Sequence, residues 1–85
     1  MGKYEKLTQR IISGRQDTSV NFSEAVALLQ ALGFSQRIRG SHHIFNREGV
    51  EEIINIQPDG SKAKPYQVKQ IRDLIVKYRL EAKDE

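Results

Sequence analysis

The two histidines of the chain are adjacent, at His42 and His43, and directly follow Gly40-Ser41. An imidazole takes up or releases a proton near neutral pH, so either side chain could act as a general base or a general acid. Neighbouring residues of a strand point to opposite faces of the sheet. The pair therefore cannot grip one phosphate from the same side, which argues against a two-histidine ribonuclease site and leaves a single-histidine site or none.

Residues on either side of the turn could assist such a histidine. Gly40 would let a backbone or a phosphate approach closely. Ser41 offers a hydroxyl and a backbone N–H beside the histidines. Arg37 and Arg39 occupy alternate positions of a predicted strand, so we expect both side chains on the same face of it.

Basic residues are concentrated in two segments, although the whole chain carries a net charge of only +3. Residues 35–47 contain three arginines and no carboxylate. Residues 60–79 contain six basic residues, including Lys62 and Lys64, against one acidic residue. Two such segments that met in space would attract phosphate. A solvated, lysine-rich helix face explains the same pattern equally well.

Composition and motifs exclude several other chemistries. The chain has 85 residues, enough for one small domain, and no cysteine, which rules out disulfides and thiolate metal sites. Two adjacent histidines without a third do not make a tetrahedral metal site, and we expect neither a metal nor a cofactor. Neither a G-x-x-x-x-G-K loop nor a G-x-S-x-G elbow is present. No apolar run is long enough for a membrane span and the start lacks a secretory signal, so a cytoplasmic location is the default expectation.

Three helices are predicted around the histidine segment. Apolar residues at three- and four-residue spacing indicate a helix over residues 3–13. A second helix begins at the capping box of Asn21 and Glu24 and ends at Gly33. A third begins at Pro65, whose missing N–H costs nothing at the first helical position.

Three short strands are predicted between the second and third helices, over residues 34–39, 41–45 and 53–56. Short links favour an antiparallel meander, which makes the fold class α+β with an extra helix in front. Helices would cover one face of this sheet and leave the other open. His42 has the same strand parity as Ile44, an apparent core residue, and His43 has the parity of Phe45, so the sequence leaves open whether His42 is partly buried or exposed.

The arrangement of these segments resembles the HicA toxin family of bacterial toxin–antitoxin systems. The sequence Gly-Ser-His-His-Ile-Phe at 40–45 follows a helix that ends Leu-Leu-Gln-Ala-Leu-Gly-Phe at 28–34. The run at 56–65 and the amphipathic helix at 67–78 fit the same pattern. The resemblance covers about residues 20–80.

This resemblance implies a fold, an activity and a partner. The family fold is α-β-β-β-α, like that of double-stranded-RNA-binding domains, and would occupy residues 20–80. Residues 1–19 would form an N-terminal helical extension, and residues 81–85 a charged tail. The implied activity is metal-independent endoribonuclease cleavage of mRNA, with the first histidine after Gly-Ser, His42, as the catalytic residue. A HicB-type antitoxin protein would bind the toxin and cover this site.

The remaining candidate site residues are expected to contact RNA around His42. They are Arg37, Arg39, Gly40, Ser41, His43, Lys62 and Lys64. Many family members carry a further histidine in the loop after the third strand. Here the loop at 57–62 has none, so Lys62 or Lys64 would have to substitute for it.

Two other functions fit the same residues. A non-catalytic module could recognise an RNA duplex through its phosphates and 2′-OH groups without any general base. A protein-interaction role, in which an acidic partner binds the basic face, is the second. Composition does not discriminate among the three, and the resemblance ranks the toxin first.

Overall fold

The computed structural model describes residues 2–83 of the chain. Over these residues three helices accompany a three-stranded and a two-stranded antiparallel sheet. The α+β class and the order α-β-β-β-α with a preceding helix are confirmed. No helix in this range is long and apolar enough to cross a membrane. The elements are α1 (Lys3–Ser13), α2 (Phe22–Ala31), β1 (Ser35–Arg39), β2 (His42–Arg47), β3 (Val50–Ile56), β4 (Pro58–Asp59), β5 (Lys62–Ala63) and α3 (Pro65–Tyr78).

The main sheet is the predicted meander, in the order β1-β2-β3. Arg39 pairs with His42, so Gly40 and Ser41 alone form the turn between β1 and β2. A two-residue hairpin turn with a positive φ at its first position favours glycine, and Gly40 has a φ of 59°. Turn geometry thus accounts for Gly40 without any close approach by a ligand.

The helices cover one face of this sheet and leave the other open, as predicted. Phe45 from β2 and Ile54 and Ile56 from β3 are fully buried against the helices. On the opposite face Ile53 is 62% exposed. Ile44 lies on the open face too, because it is the strand neighbour of the buried Phe45 and so points the opposite way. Its register partner on that face is Asn55. The expectation that Ile44 belongs to the core is wrong, since Phe45 is the residue of β2 that fills it.

Helix α1 is part of the same core, although it precedes the segment of family resemblance. Leu7 and Ile11 are its buried residues, and they belong to the hydrophobic cluster formed with α2, α3 and the sheet. Arg72 of α3 donates to the Ile11 carbonyl at 3.2 Å and to Asp17 at 2.9 Å. These contacts tie the end of α1 and the following connection to α3.

A short hairpin lies where the sequence predicts only a basic loop. Pro58 pairs with Ala63 in β4 and β5. The hairpin is joined to the segment before α2 by two backbone hydrogen bonds, from Ala63 N–H to Val20 O at 2.9 Å and from Phe22 N–H to Ser61 O at 2.9 Å. The loop is therefore fixed against the start of α2.

Strand β3 is tied to the end of α3 through one carboxylate. Lys77 donates to Glu52 at 2.7 Å and the Tyr78 hydroxyl donates to it at 2.6 Å. Hydrogen bonds from Lys77 and then from Tyr78 lower the pKa of Glu52 from 4.5 to about 2. The carboxylate thus stays ionised, and its hydrogen bonds intact, well into the acid range.

Candidate active site

His42 is exposed at the start of β2, on the open face of the sheet. Register partners in an antiparallel pair lie on the same face. Because Arg39 pairs with His42 and Arg37 pairs with Ile44, both arginines share that face with the imidazole. The sequence leaves the burial of His42 open, and the structure exposes it because Ile44 lies on the open face and not in the core.

Two side-chain amides hold the His42 imidazole from the neighbouring strand. Asn55 Oδ1 lies 3.1 Å from His42 Nδ1. Gln57 Nε2 lies 2.9 Å from His42 Nε2 and donates to the Ser41 hydroxyl at 3.3 Å. An amide oxygen only accepts hydrogen bonds and an amide nitrogen only donates them. With the two amides oriented this way, the network fits an imidazole that carries a proton on Nδ1 and accepts a hydrogen bond at Nε2.

Asn55 and Gln57 are not among the site residues predicted from the sequence. They alternate with the buried residues Ile54 and Ile56, so the period of two already marks them as residues of the open face. Which residues of β2 they would face depends on the β2–β3 register, and apolar spacing does not supply it.

His43 lies on the opposite face, as the alternation predicts, and is half-buried. Its Nδ1 is 3.2 Å from Gln36 Nε2. The Phe22 ring packs edge-on against it, with 4.8 Å between centroids and an interplanar angle of 76°. The sheet therefore separates the two imidazoles, and His43 is packed between β1 and α2. Its contact with RNA stays a prediction.

Three of the six basic residues of the second segment form ion pairs within the fold. The partners are all carboxylates, at 2.7–3.0 Å: Lys69 with Asp73, Arg72 with Asp17, and Lys77 with Glu52. From the first basic segment, Arg47 donates to the Leu32 carbonyl at 2.9 Å, and so supplies a hydrogen-bond partner to a carbonyl group at the end of α2. A solvated and internally paired face explains α3 better than a phosphate site does.

The predicted RNA contact Lys62 lies in β5 of the hairpin, and Lys64 follows that strand directly. Lys62 is exposed and donates to Asn21 Oδ1 at 2.8 Å, beside the start of α2. Lys64 is half-buried and directly precedes α3. The structure thus brings Arg37, Arg39 and His42 onto one face, and holds Lys62 next to α2.

No group of three or more His, Asp or Glu side chains within residues 2–83 is placed to hold a metal ion. The side chains that contact the His42 ring through hydrogen bonds are the amides of Asn55 and Gln57. The arrangement offers proton transfer at one exposed imidazole, on the same face as two arginines whose guanidinium groups can offset negative charge.

One comparison with known proteins gives a match. A family model described as HicA toxin of bacterial toxin–antitoxin systems matches residues 22–78. The match includes α2, the three-stranded sheet with the His42 site, the hairpin and α3, and it begins after α1. No curated protein and no solved structure matches the chain.

Proposed function

We propose that the chain, which belongs to the HicA toxin family of bacterial toxin–antitoxin systems, acts as a metal-independent endoribonuclease. It would cleave mRNA with His42 as the catalytic residue. The observation that carries the proposal is the exposed imidazole of His42, which shares an open face with Arg37 and Arg39. A general base must be within hydrogen-bonding reach of the proton that it takes, and an RNA strand on the open face can come within that reach of an exposed imidazole.

RNA supplies its own nucleophile, the 2′-OH beside the scissile phosphate. In the proposed reaction His42 Nε2 takes the 2′-OH proton while the 2′ oxygen forms a bond to phosphorus. The bond from phosphorus to the 5′ oxygen breaks, and the same proton passes from the imidazolium to that leaving oxygen. The products are a 2′,3′-cyclic phosphate and a free 5′-OH. Proton transfer of this kind contributes on the order of 10²- to 10⁴-fold in rate.

The two arginines have a separate task. Negative charge builds up on the phosphate oxygens as the 2′ oxygen attacks, and guanidinium groups on the same face would offset it. Arg37 and Arg39 are both exposed, so their side chains can follow a phosphate backbone that crosses the open face. Their spacing of two residues along β1 suits successive contacts with that backbone.

A toxin of this family is paired with an antitoxin. The antitoxin that we propose is a HicB-type protein that covers the open face and shields His42 from RNA. The apolar side chains of Ile44 and Ile53 on that face would give it contact area beside the arginines. Since mRNA is the proposed substrate, the cytoplasm is the proposed site of action.

The test uses one RNA oligonucleotide and its fully 2′-O-methylated copy, each incubated with the purified protein in EDTA. We expect cleavage of the RNA to 2′,3′-cyclic phosphate ends and no cleavage of the methylated copy, which lacks the nucleophile. Cleavage of both the RNA oligonucleotide and its methylated copy, or cleavage only with added divalent metal, would contradict the mechanism. Binding of duplex RNA without cleavage would support the non-catalytic module instead. Antitoxin binding without RNA affinity would support a protein-interaction role.

A further inference from the structure

We propose that Asn55 and Gln57 act as positioning residues for His42: Asn55 holds the proton on Nδ1, and Gln57 caps the Nε2 lone pair until bound RNA displaces its amide. This inference rests on the proposed function, in which Nε2 is the atom that takes the 2′-OH proton. It adds a closed state of the free protein and names the side chain that must move to open it.

Asn55 determines which ring nitrogen carries the proton. Its Oδ1 lies 3.1 Å from His42 Nδ1, and an amide oxygen is satisfied only by a donor. With the proton on Nδ1, the lone pair is on Nε2, the nitrogen farther from the backbone. Which ring nitrogen of a histidine is protonated is set by the hydrogen bond that the other ring nitrogen makes. Asn55 thus directs the basic nitrogen away from the strand.

Gln57 occupies the basic nitrogen that Asn55 exposes. Its amide nitrogen is 2.9 Å from His42 Nε2 and 3.3 Å from the Ser41 hydroxyl oxygen. A lone pair that accepts a hydrogen bond from an amide is not available to a 2′-OH. The amide must therefore leave before the ring can act as a base, and once displaced it is free to donate to a phosphate oxygen.

Gln67 of α3 holds the backbone N–H and C=O groups of Gln57 in place. Gln67 is 1% exposed. In the orientation that satisfies both groups, its side-chain oxygen accepts from Gln57 N–H at 3.1 Å and its nitrogen donates to Gln57 C=O at 3.3 Å. The opposite orientation offers a single hydrogen bond, from the Lys64 N–H at 3.3 Å. With its backbone held on both sides, Gln57 can uncap Nε2 only by rotating its side chain.

The other histidine provides a matched contrast within the same sheet. Gln36 approaches His43 through its amide nitrogen at 3.2 Å, as Gln57 approaches His42. That pair lies on the helix-covered face, where the Phe22 ring packs against His43. The same amide–imidazole chemistry is thus present once on the open face and once against α2.

The electrostatic surroundings of His42 are simple enough to make pH a useful probe. From β3 and the residue that follows it, its contacts are the two neutral amides of Asn55 and Gln57. From β1 it faces Arg39 as its register partner, with Arg37 two residues further along. A carboxylate introduced at position 57 would therefore be the nearest negative group in hydrogen-bonding contact with the ring.

The first arm of the test is ¹⁵N NMR of the histidine rings in the free protein, at a pH where the imidazole is neutral. We expect wild-type His42 to show the Nδ1–H form and Asn55→Ala to change it to the Nε2–H form. Adding the 2′-O-methyl RNA should move the wild-type Nε2 resonance, as the Gln57 amide leaves. An Nε2–H form in the wild type, or an unchanged form in Asn55→Ala, would overturn the assignment to Asn55.

The second arm compares pH–rate profiles of Gln57→Glu and Gln36→Glu. The profile of kcat/KM reports the free enzyme and that of kcat reports the RNA complex. A carboxylate at position 57 would keep His42 protonated, so we expect the acidic limb of kcat/KM to move up by about one pH unit. The kcat limb should stay in place, because the side chain has left. Gln36→Glu should move neither limb.

The outcomes separate this inference from the proposed function. Equal shifts in both profiles would show that the side chain at position 57 stays on the ring in the complex, which overturns displacement. No shift in either profile, or an equal shift in Gln36→Glu, would overturn the cap itself. If the wild-type protein cleaves no RNA, the proposed function fails, and the NMR arm still decides the proton position and the displacement.

Discussion

Replacing Ile11 by Ala tests whether α1 is part of the folded domain. Ile11 is 1% exposed within the core, whereas its neighbour Ile12 is 41% exposed. Truncating a buried isoleucine to alanine costs about 2–5 kcal/mol. A domain of this length has a free energy of unfolding of about 4–13 kcal/mol. We therefore expect Ile11→Ala to remove a large part of it.

The matched control is Ile12→Ala, which makes the same chemical change one residue away. Both variants gain the same few tenths of a kcal/mol from the higher helix propensity of alanine, so the difference between them reports packing. We expect Ile12→Ala to cost less than about 1 kcal/mol. The assay is urea unfolding followed by circular dichroism, with the m-value unchanged if only stability is affected. Costs that agree within about 0.5 kcal/mol would refute the packing of α1 into the core.

Three further predictions concern charge. Replacing Arg37 and Arg39 together by Gln should weaken RNA binding and reduce the slope of log affinity against log salt by about 0.7 for each lost phosphate contact, measured by fluorescence anisotropy; an unchanged slope would remove them from the interface. Lys62→Ala with Lys64→Ala should also weaken binding and flatten the slope if the hairpin contacts RNA, and unchanged binding would exclude it. Because the pKa of Glu52 is lowered to about 2, its contribution to stability is present above pH 4.5 and is lost as the pH falls toward 2. Glu52→Gln should therefore be less stable than wild type at pH 6, with a smaller difference in urea midpoint at pH 3, and an equal difference at both pH values would contradict this.

The helices and the order of strands could be predicted because their signals are local. The apolar spacing of residues 3–13 and the proline at position 65 both correspond to observed helices. The β4–β5 hairpin was missed because its strands have only two residues each and depend on hydrogen bonds to the segment before α2. Ile44 and Phe45 are both apolar, so the sequence does not show which of them faces the helices. With Ile44 on the open face His42 is exposed, which alternation along β2 alone leaves open.

The sequence predicts individual residues of the site and the face of the strand on which each lies, but not the contacts between them. Alternation along one strand correctly separates the side chains of His42 and His43. The contacts of Asn55 and Gln57 with His42 depend on the register between two strands, and the hold of Gln67 on Gln57 depends on the docking of α3. Two of the three ion pairs of α3 likewise join residues distant in sequence, so the local excess of basic residues overstates the unpaired positive charge of this helix.

The most direct measurement is the rate of RNA cleavage in EDTA by His42→Ala and His43→Ala, each compared with wild type after circular dichroism has shown that the variant is folded. The account predicts that His42→Ala loses about 10²- to 10⁴-fold in rate and that His43→Ala, altered on the opposite face, loses far less. Cleavage by folded His42→Ala at the wild-type rate would contradict it.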